Sequence, residues 1–461
     1  MLIRSMGAGV SSLGPGAEKT RATEDLICNQ DRFSPHCNLN PSLKRRWLEG
    51  GGERDRVTPP SPGGTLPMRR PLMLLATLAL AVVACEKKNA PAAPSPEGQA
   101  TGVPAAPVDS NTILLGEVGS LTGSEATFGV SARNGIELAL NEANEAGGVK
   151  GKKLQVRVYD SQGRPEEGAQ AVTRLITQDK VVAILGEAAS SVSMAMAEKA
   201  QAGKVPMVTP TSTAPEVTQK GDYIFRVCFI DPFQGLAMAK FARENLQLSR
   251  VAVLRDNKSA FSMGLADVFT ARFKEFGGEV PGDESYSKGD TDFRAQLTSL
   301  KRLKPDAVFV PGYYTDVGII ARQAREIGLK VPLLGGDGWD SDKLYELGGS
   351  ALEGSYFANH YSPDNPDPVL QRFLARYKAT YGGVPDSVAA LAYDAARVTI
   401  DAMKRAPDLS GPSLRDAIAA TKEFPGVTGK ITLDANRDAV KEAVVLKVSG
   451  GKAEFVTTVT P

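Results

Sequence analysis

Six short segments of the chain combine hydroxyls, aromatic rings and a carboxylate at places where chemistry could occur. They are Ser120-Leu121-Thr122-Gly123 with Phe128 just beyond, Glu187-Ala188-Ala189-Ser190-Ser191, Thr209-Pro210-Thr211-Ser212-Thr213, Asp256 with Phe261-Ser262, Gly312-Tyr313-Tyr314, and Gly335-Gly336-Asp337-Gly338-Trp339. Small hydroxyl side chains donate and accept hydrogen bonds, aromatic rings form apolar walls, and Asp337 supplies a negative charge. That mixture suits a small solute carrying both an anionic and a cationic end. None of the segments has the Gly-x-Gly-x-x-Gly spacing of a dinucleotide loop or a phosphate-cradling Walker loop. The chain holds four cysteines and two histidines. Cys28, His36 and Cys37 precede the patterned region, leaving Cys85, Cys228 and His360. This scarcity argues against a zinc site, a disulfide framework and a histidine-based catalytic set, so no metal, cofactor or enzymatic activity is expected. A net charge of +1 gives no footprint for nucleic acid.

Each of these residues also has an ordinary structural use. Ser190 could cap a helix, Thr211 and Thr213 could stabilise a proline-containing turn, and Asp337 could sit in a turn before Gly338. Phe128, Phe261 and Trp339 could be packing residues, and Tyr393 reads as core or hinge packing. Cys228 reads as a small buried hydrophobe and His360 as structural.

What the segments share is their position after short apolar runs. Ile113–Leu115, Leu154–Val158, Val181–Leu185, Pro206–Val208, Val251–Leu254, Ala307–Val310 and Val331–Leu334 read as strands. Between them, apolar residues recur at helical spacing, as in Ala132, Ile136, Ala139, Leu140 and Ala143, or Val317, Ile320, Ala321, Ala324 and Ile327. Alternating strands and helices imply right-handed βαβ units and mostly parallel sheets, and ligands then bind outside the carboxyl ends of the strands. The length of 461 residues fits two lobes better than one. The fold class is α/β, with two Rossmann-like lobes.

The N-terminal region reads as an address. Residues 1–67 are rich in Gly, Pro and Arg without periodicity, and read as a disordered or mis-assigned leader, with Met68 the expected start. Met68-Arg69-Arg70 and the apolar run Leu72–Val83 then read as a signal segment over 68–84, too short for a comfortable membrane span. Small residues before Cys85 resemble a bacterial lipoprotein signal, which would lipidate Cys85 and anchor the mature chain. Residues 85–110 follow as a Pro/Ala-rich tether.

The loops, in this order, resemble those of the periplasmic leucine/isoleucine/valine-binding proteins of ABC transporters, with the type I periplasmic binding fold. The residues that carry the likeness are Gly119–Gly123, Asn134–Ala139, Gly147–Gly151, Thr211–Glu216, Gly312–Tyr314 and Gly335–Gly338. The resemblance implies that Ser190 binds an α-carboxylate. It implies that Thr211 offers a carbonyl to an ammonium, Thr213 meets both ends of the zwitterion and Asp337 pairs with the ammonium. Phe128, Ala188, Ala189, Phe261, Tyr313 and Trp339 would shape the side-chain pocket. Three departures stand out. Asp337 replaces a glutamate, Phe128 and Phe261 replace tyrosines, and Ser161 and Ala189 stand where some members carry a cysteine pair. A more apolar pocket suits an aliphatic or aromatic side chain, or another small solute.

The family likeness implies lobe 1 over 111–230 and 360–430, and lobe 2 over 231–359 and 431–461. The chain would cross between them near Arg226–Asp231, Tyr356–His360 and Thr428–Leu433. The expected function is capture of a branched-chain or related amino acid by hinge closure, and delivery to membrane permease subunits by a monomer held at the periplasm or cell surface. The alternative is a ligand sensor of the same fold that signals to a non-permease partner.

Overall fold

The computed structural model describes residues 110–461. The expected leader, signal segment, Cys85 and nearly all of the tether lie outside the described residues. Lobe 1 is built on a fully parallel five-stranded sheet in the order β2-β1-β3-β4-β5, with β1 Thr112–Gly119, β2 Lys153–Asp160, β3 Ile184–Gly186, β4 Met207–Thr209 and β5 Ile224–Arg226. Its helices α1 Ala126–Glu145, α2 Pro165–Arg174 and α3 Ser190–Gly203 follow β1, β2 and β3 in turn. Strand β1 is buried along almost its whole length because helices cover both faces of the sheet.

Lobe 2 repeats the plan. Its helices are α4 Asp231–Lys240, α5 Ala260–Glu275, α6 Arg294–Arg302, α7 Tyr314–Glu326 and α8 Asp342–Gly348. Its strands are β6 Val251–Asp256, β7 Asp283–Tyr286, β8 Ala307–Phe309, β9 Leu333–Gly335 and β10 Tyr356–Asn359, in the order β10-β9-β8-β6-β7. The chain then returns to lobe 1 for α9 Pro368–Tyr381, α10 Ser387–Arg405, α11 Gly411–Ala419 and the hairpin β11 Phe424–Gly426 with β12 Gly429–Ile431. It finishes in lobe 2 with β13 Ala443–Ser449 and β14 Lys452–Val459, antiparallel additions beyond β10. Strand order reverses between β1 and β3 and again between β6 and β8, so each sheet has a switch point at the carboxyl ends of its strands.

Edge strand β7, Asp283-Glu284-Ser285-Tyr286, is not announced by the sequence pattern, because only Tyr286 among its side chains is buried. The third passage between lobes also comes later than Thr428–Leu433. Asp438 still accepts hydrogen bonds from Thr218 Oγ1 at 2.9 Å and Arg226 Nε at 2.6 Å, which keeps the chain on lobe 1 past that point.

The two parts of lobe 1 are locked by an unusually close approach of α1 and α10. A Cβ placed on Gly135 would lie 2.2 Å from the carbonyl oxygen of Ala389 and 2.9 Å from the amide nitrogen of Tyr393. Both atoms are backbone, so neither can yield without moving a helix. Gly135→Ala is therefore expected to destabilise the protein by about 1–3 kcal/mol, read as a fall in Tm.

Candidate functional site

The carboxyl ends of β1, β3 and β4 in lobe 1 face those of β6, β8 and β9 in lobe 2. Between them Phe128, Ala188, Ser190, Thr211, Phe261, Tyr313, Asp337, Gly338, Ser387 and Val388 line a small cavity of about 20 Å³. That is room for about one water. Four observations define its chemistry.

The first is the start of α3. Ser190 is buried and opens the helix straight after the β3 loop, with its Oγ 3.3 Å from the amide of Ala214. The opening turn of a helix leaves N–H groups without intrahelical acceptors, and its dipole favours an anion. The second is the threonine loop after β4. Ser212 Oγ donates to the Glu187 carbonyl at 2.9 Å, and Thr209 Oγ1 to the same oxygen at 2.6 Å. These bonds fix the loop that carries Thr211 to the cavity.

The third is Asp337, whose two carboxylate oxygens are both held. Gln234 Nε2 donates to Oδ1 at 3.0 Å and the His360 ring lies 2.8 Å from Oδ2 through Nε2. Gln234 also accepts from the Asp337 amide at 2.9 Å. His360 is wholly buried and stacks on Phe229 with ring centroids 3.8 Å apart. Burial pushes its pKa down, opposed by Asp337, so the neutral ring donates Nε2–H to the carboxylate. The carboxylate is thereby fixed in orientation while its charge stays uncancelled. Close by, Asp231 at the start of α4 is buried, with the Thr213 side chain beside it. Burial, reinforced by the negative charge of Asp337, raises its pKa well above the usual carboxylate range.

The fourth is the apolar wall. The Phe261 and Tyr313 rings stack at 5.3 Å, and Phe128 meets Tyr313 edge-on at 5.9 Å. Phe128 comes from lobe 1 and the other two rings from lobe 2, so the wall is completed by both.

Other expected residues sit elsewhere. Thr213 is buried behind the cavity, where its carbonyl accepts from the Asp231 amide at 3.0 Å. Ala189 also lies behind it, its amide donating to Glu187 Oε2 at 2.6 Å. Trp339 must be corrected, since it is not a pocket wall. Residues Asp337–Trp339 form a single 3-10 turn that carries the indole back into lobe 2, where Nε1 donates to the Val310 carbonyl at 3.0 Å and the ring lies 5.9 Å from Phe357. Tyr393 packs on Phe373 at 4.6 Å and donates to Glu142 Oε2 at 2.5 Å, inside lobe 1. Cys228 is buried and unpaired, with its thiol pushed up to about 12 by burial. Gln234, Asp231 and Ser387 were not singled out as site residues by the sequence reading, and His360 was read as structural. Gln234 and Asp337 are 103 residues apart, and no local pattern connects them. For Ser387, the helix-start signal Pro385-Asp386 gave a clue, because Asp386 caps α10 through the Ala389 amide at 2.8 Å.

Ser161 and Ala189, where the family resemblance implies a cysteine pair in some members, meet the same carboxyl. Glu187 Oε1 accepts from Ser120 Oγ at 2.6 Å and Ser161 Oγ at 3.2 Å, while Oε2 holds the Ala189 amide. Hydrogen bonds here tie together what a covalent link could join.

A family model described as "Periplasmic binding protein" matches residues 112–452. The chain belongs to the periplasmic binding protein family. Members of this family bind solutes for transporters and are not enzymes. The Leu/Ile/Val-binding protein BraC3 of Rhizobium johnstonii is 30% identical over 350 residues, covering 75% of this chain and 94% of that protein. The crystal structure of a leucine-binding protein LivK from Thermotoga maritima superposes with a TM-score of 0.73 at 40% identity, over 76% of this chain and 99% of that one. LivJ from Streptococcus pneumoniae, solved in complex with isoleucine, gives a TM-score of 0.72 at 35% identity, over 76% of this chain and 100% of that one. The family places the binding domain outside the cytoplasm, and no helix among the described residues is long and apolar enough to cross a membrane.

Around the cavity the lobes clasp each other. Lys288 Nζ of lobe 2 lies 2.6 Å from Glu125 Oε1 of lobe 1 and donates to the Gly163 carbonyl at 3.1 Å. Thr315 Oγ1 donates to the Ser124 carbonyl at 2.6 Å, Ala260 N to Ser191 Oγ at 3.0 Å, and Ser387 N to Asp340 Oδ2 at 2.7 Å. Glu125 is 3% exposed, and burial raises its pKa against the opposing pull of Lys288. Lys288→Met is expected to lower stability by about 1–2 kcal/mol by leaving this carboxylate without its cation. Adding Glu125→Gln should restore most of the lost Tm, and thermal denaturation of the two variants checks both statements.

Proposed function

We propose that the protein captures an α-amino acid with an apolar side chain, of the branched-chain class, by closing its lobes over it, and delivers it to an ABC permease. The observation that carries this reading is the pairing of opposite polarities across one cavity. The Ser190 helix start faces it from one lobe and the fixed Asp337 carboxylate from the other, with aromatic walls between. A zwitterion satisfies both ends at once. Its carboxylate would take the α3 N–H groups and the Ser190 hydroxyl, with the Thr211 loop alongside. Its ammonium would pair with Asp337, a charge-assisted contact. The side chain would lie against Phe128, Phe261 and Tyr313. Relatives described as Leu/Ile/Val-binding, and the LivJ complex with isoleucine, support the same ligand class.

A cavity of about 20 Å³ is smaller than any such ligand. Entry therefore requires the lobes to part, and the ligand would swing Phe261 and Tyr313 away from Phe128. Because the ligand touches both lobes, it binds the closed form more tightly than the open one, and that difference drives closure. A lipid anchor at Cys85, with residues 85–110 as a leash, would hold the protein near its permease as a monomer.

Isothermal titration with leucine, isoleucine, valine and phenylalanine tests the reading. Saturable binding of one or more of them is expected, weakened at least about tenfold by Ser190→Ala and by Asp337→Ala, each of which removes a charge-assisted hydrogen bond. Trp339 emission should change little on binding, since the indole is walled off. Failure of every amino acid to bind, or binding untouched by both substitutions, would sink it.

A further inference from the structure

A second cavity, of about 680 Å³, lies at the hinge. It is formed where the chain crosses between lobes, from Tyr361–Leu370 on one side and the β11–β12 loop with Val440–Val444 and β14 on the other. Its rim is unusually apolar for a surface. Val440 is 56% exposed and Phe455 47%, two of the few large hydrophobic side chains left open to solvent among the described residues. Val427, Val444 and Leu370 continue the apolar lining inward.

Within this lining is a cation with no anion in direct contact, its nearest carboxylate, Asp394, standing behind a bridging hydroxyl. Lys441 is only 5% exposed, and its Nζ donates to the Thr428 hydroxyl. That hydroxyl in turn donates to Asp394 Oδ2 at 2.7 Å, so the carboxylate reaches Lys441 only through an intermediary. Lys441 forms no ion pair among the described residues, and Thr428 is the one acceptor found there for its three N–H groups. A desolvated ammonium with N–H groups left without acceptors is costly. Burial lowers its pKa to about 8, which leaves it mostly charged at neutral pH. The other charged side chains of the wall are Asp364, Lys430 and Glu442, with Lys430 taken up by Glu423 at 2.8 Å.

We propose that this hinge cavity is a second ligand site, for a small monocarboxylate with an alkyl body. The carboxylate would pair with Lys441, supplying the direct anionic acceptor it lacks, and the alkyl body would cover Val440, Val444, Leu370 and Phe455. The site is distinct from the cleft but shares a wall with it, since His360 lines the hinge cavity and holds Asp337 through Nε2. The His360 Nδ1 is buried and has no partner. An occupant pressing on this ring is thus one side chain away from the carboxylate at the cleft. The inference rests on the hinge geometry and does not depend on which solute the cleft takes.

Octanoate is a suitable probe, titrated into the whole protein by calorimetry. Saturable binding is expected, with affinity unchanged in Ser190→Ala. Lys441→Met should weaken it at least tenfold. Val440→Glu, at an exposed position that leaves folding intact, should do the same by repelling the carboxylate, and keeps the proposal open to refutation if Lys441→Met fails to fold. Octanol, which keeps the alkyl body but has no charge, should not saturate over the same range. The proposal is overturned if octanoate does not bind, if Val440→Glu binds it as tightly as the unaltered protein, or if Ser190→Ala abolishes binding, which would place octanoate in the cleft.

Discussion

A single buried guanidinium decides much of this structure. Arg226 ends β5 with no exposed surface, and each of its side-chain nitrogens finds an acceptor. Nε donates to Asp438 at 2.6 Å, a terminal nitrogen reaches the Ser212 carbonyl, and the other donates to Thr218 Oγ1 at 3.0 Å and the Pro215 carbonyl at 3.3 Å. A buried charge tolerates no vacancy in its hydrogen-bonding shell. The threonine loop at the cavity and the last segment to cross the hinge must therefore keep their places relative to β5. Site and hinge are set by the same residue, so motion at one is constrained by the other.

The clasp around the cavity is made of contacts of a different kind. Apart from Lys288 with Glu125, they are single hydrogen bonds, one of them to the Asp340 carboxyl and the rest between neutral groups, each contributing on the order of 1 kcal/mol net. Contacts of that size hold two lobes together without making their association permanent. The rigid parts, by contrast, are inside each lobe: the Gly135 contact between α1 and α10, and the carboxyl of Glu187 beneath the cleft with its three donors. Stiff lobes with a weakly latched boundary are what a structure needs if a ligand of modest size is to shift the balance between two arrangements.

How much of this the sequence disclosed depends on the range of the interaction. Strands such as Val251–Leu254 and Ala307–Val310, buried on both faces, appear as plain apolar runs, and the loops after them contain most of the cavity wall. Ser190, Thr211, Phe128, Ala188, Phe261, Tyr313 and Asp337 were legible because each follows a strand end. What could not be read was orientation and long-range pairing. Trp339 lies two residues beyond Asp337, yet one tight turn sends its ring to the core and the carboxylate to the cavity. His360 and Gln234 reach Asp337 only through the assembled fold. Strand β7 escaped notice because an edge strand with one buried side chain has no apolar period to show.

The interleaving of the lobes has a consequence for how the chain comes to be folded at all. Helix α10, which covers α1 and the first sheet, is made only after all the parallel strands of lobe 2. Strand β13, which pairs with β10, comes later still. Neither lobe can bury its full core before α10 and β13 have been made, so a growing chain exposes incomplete, weakly stable sheets until then. Stable folding of both lobes is thus reserved for the arrival of the same late segments.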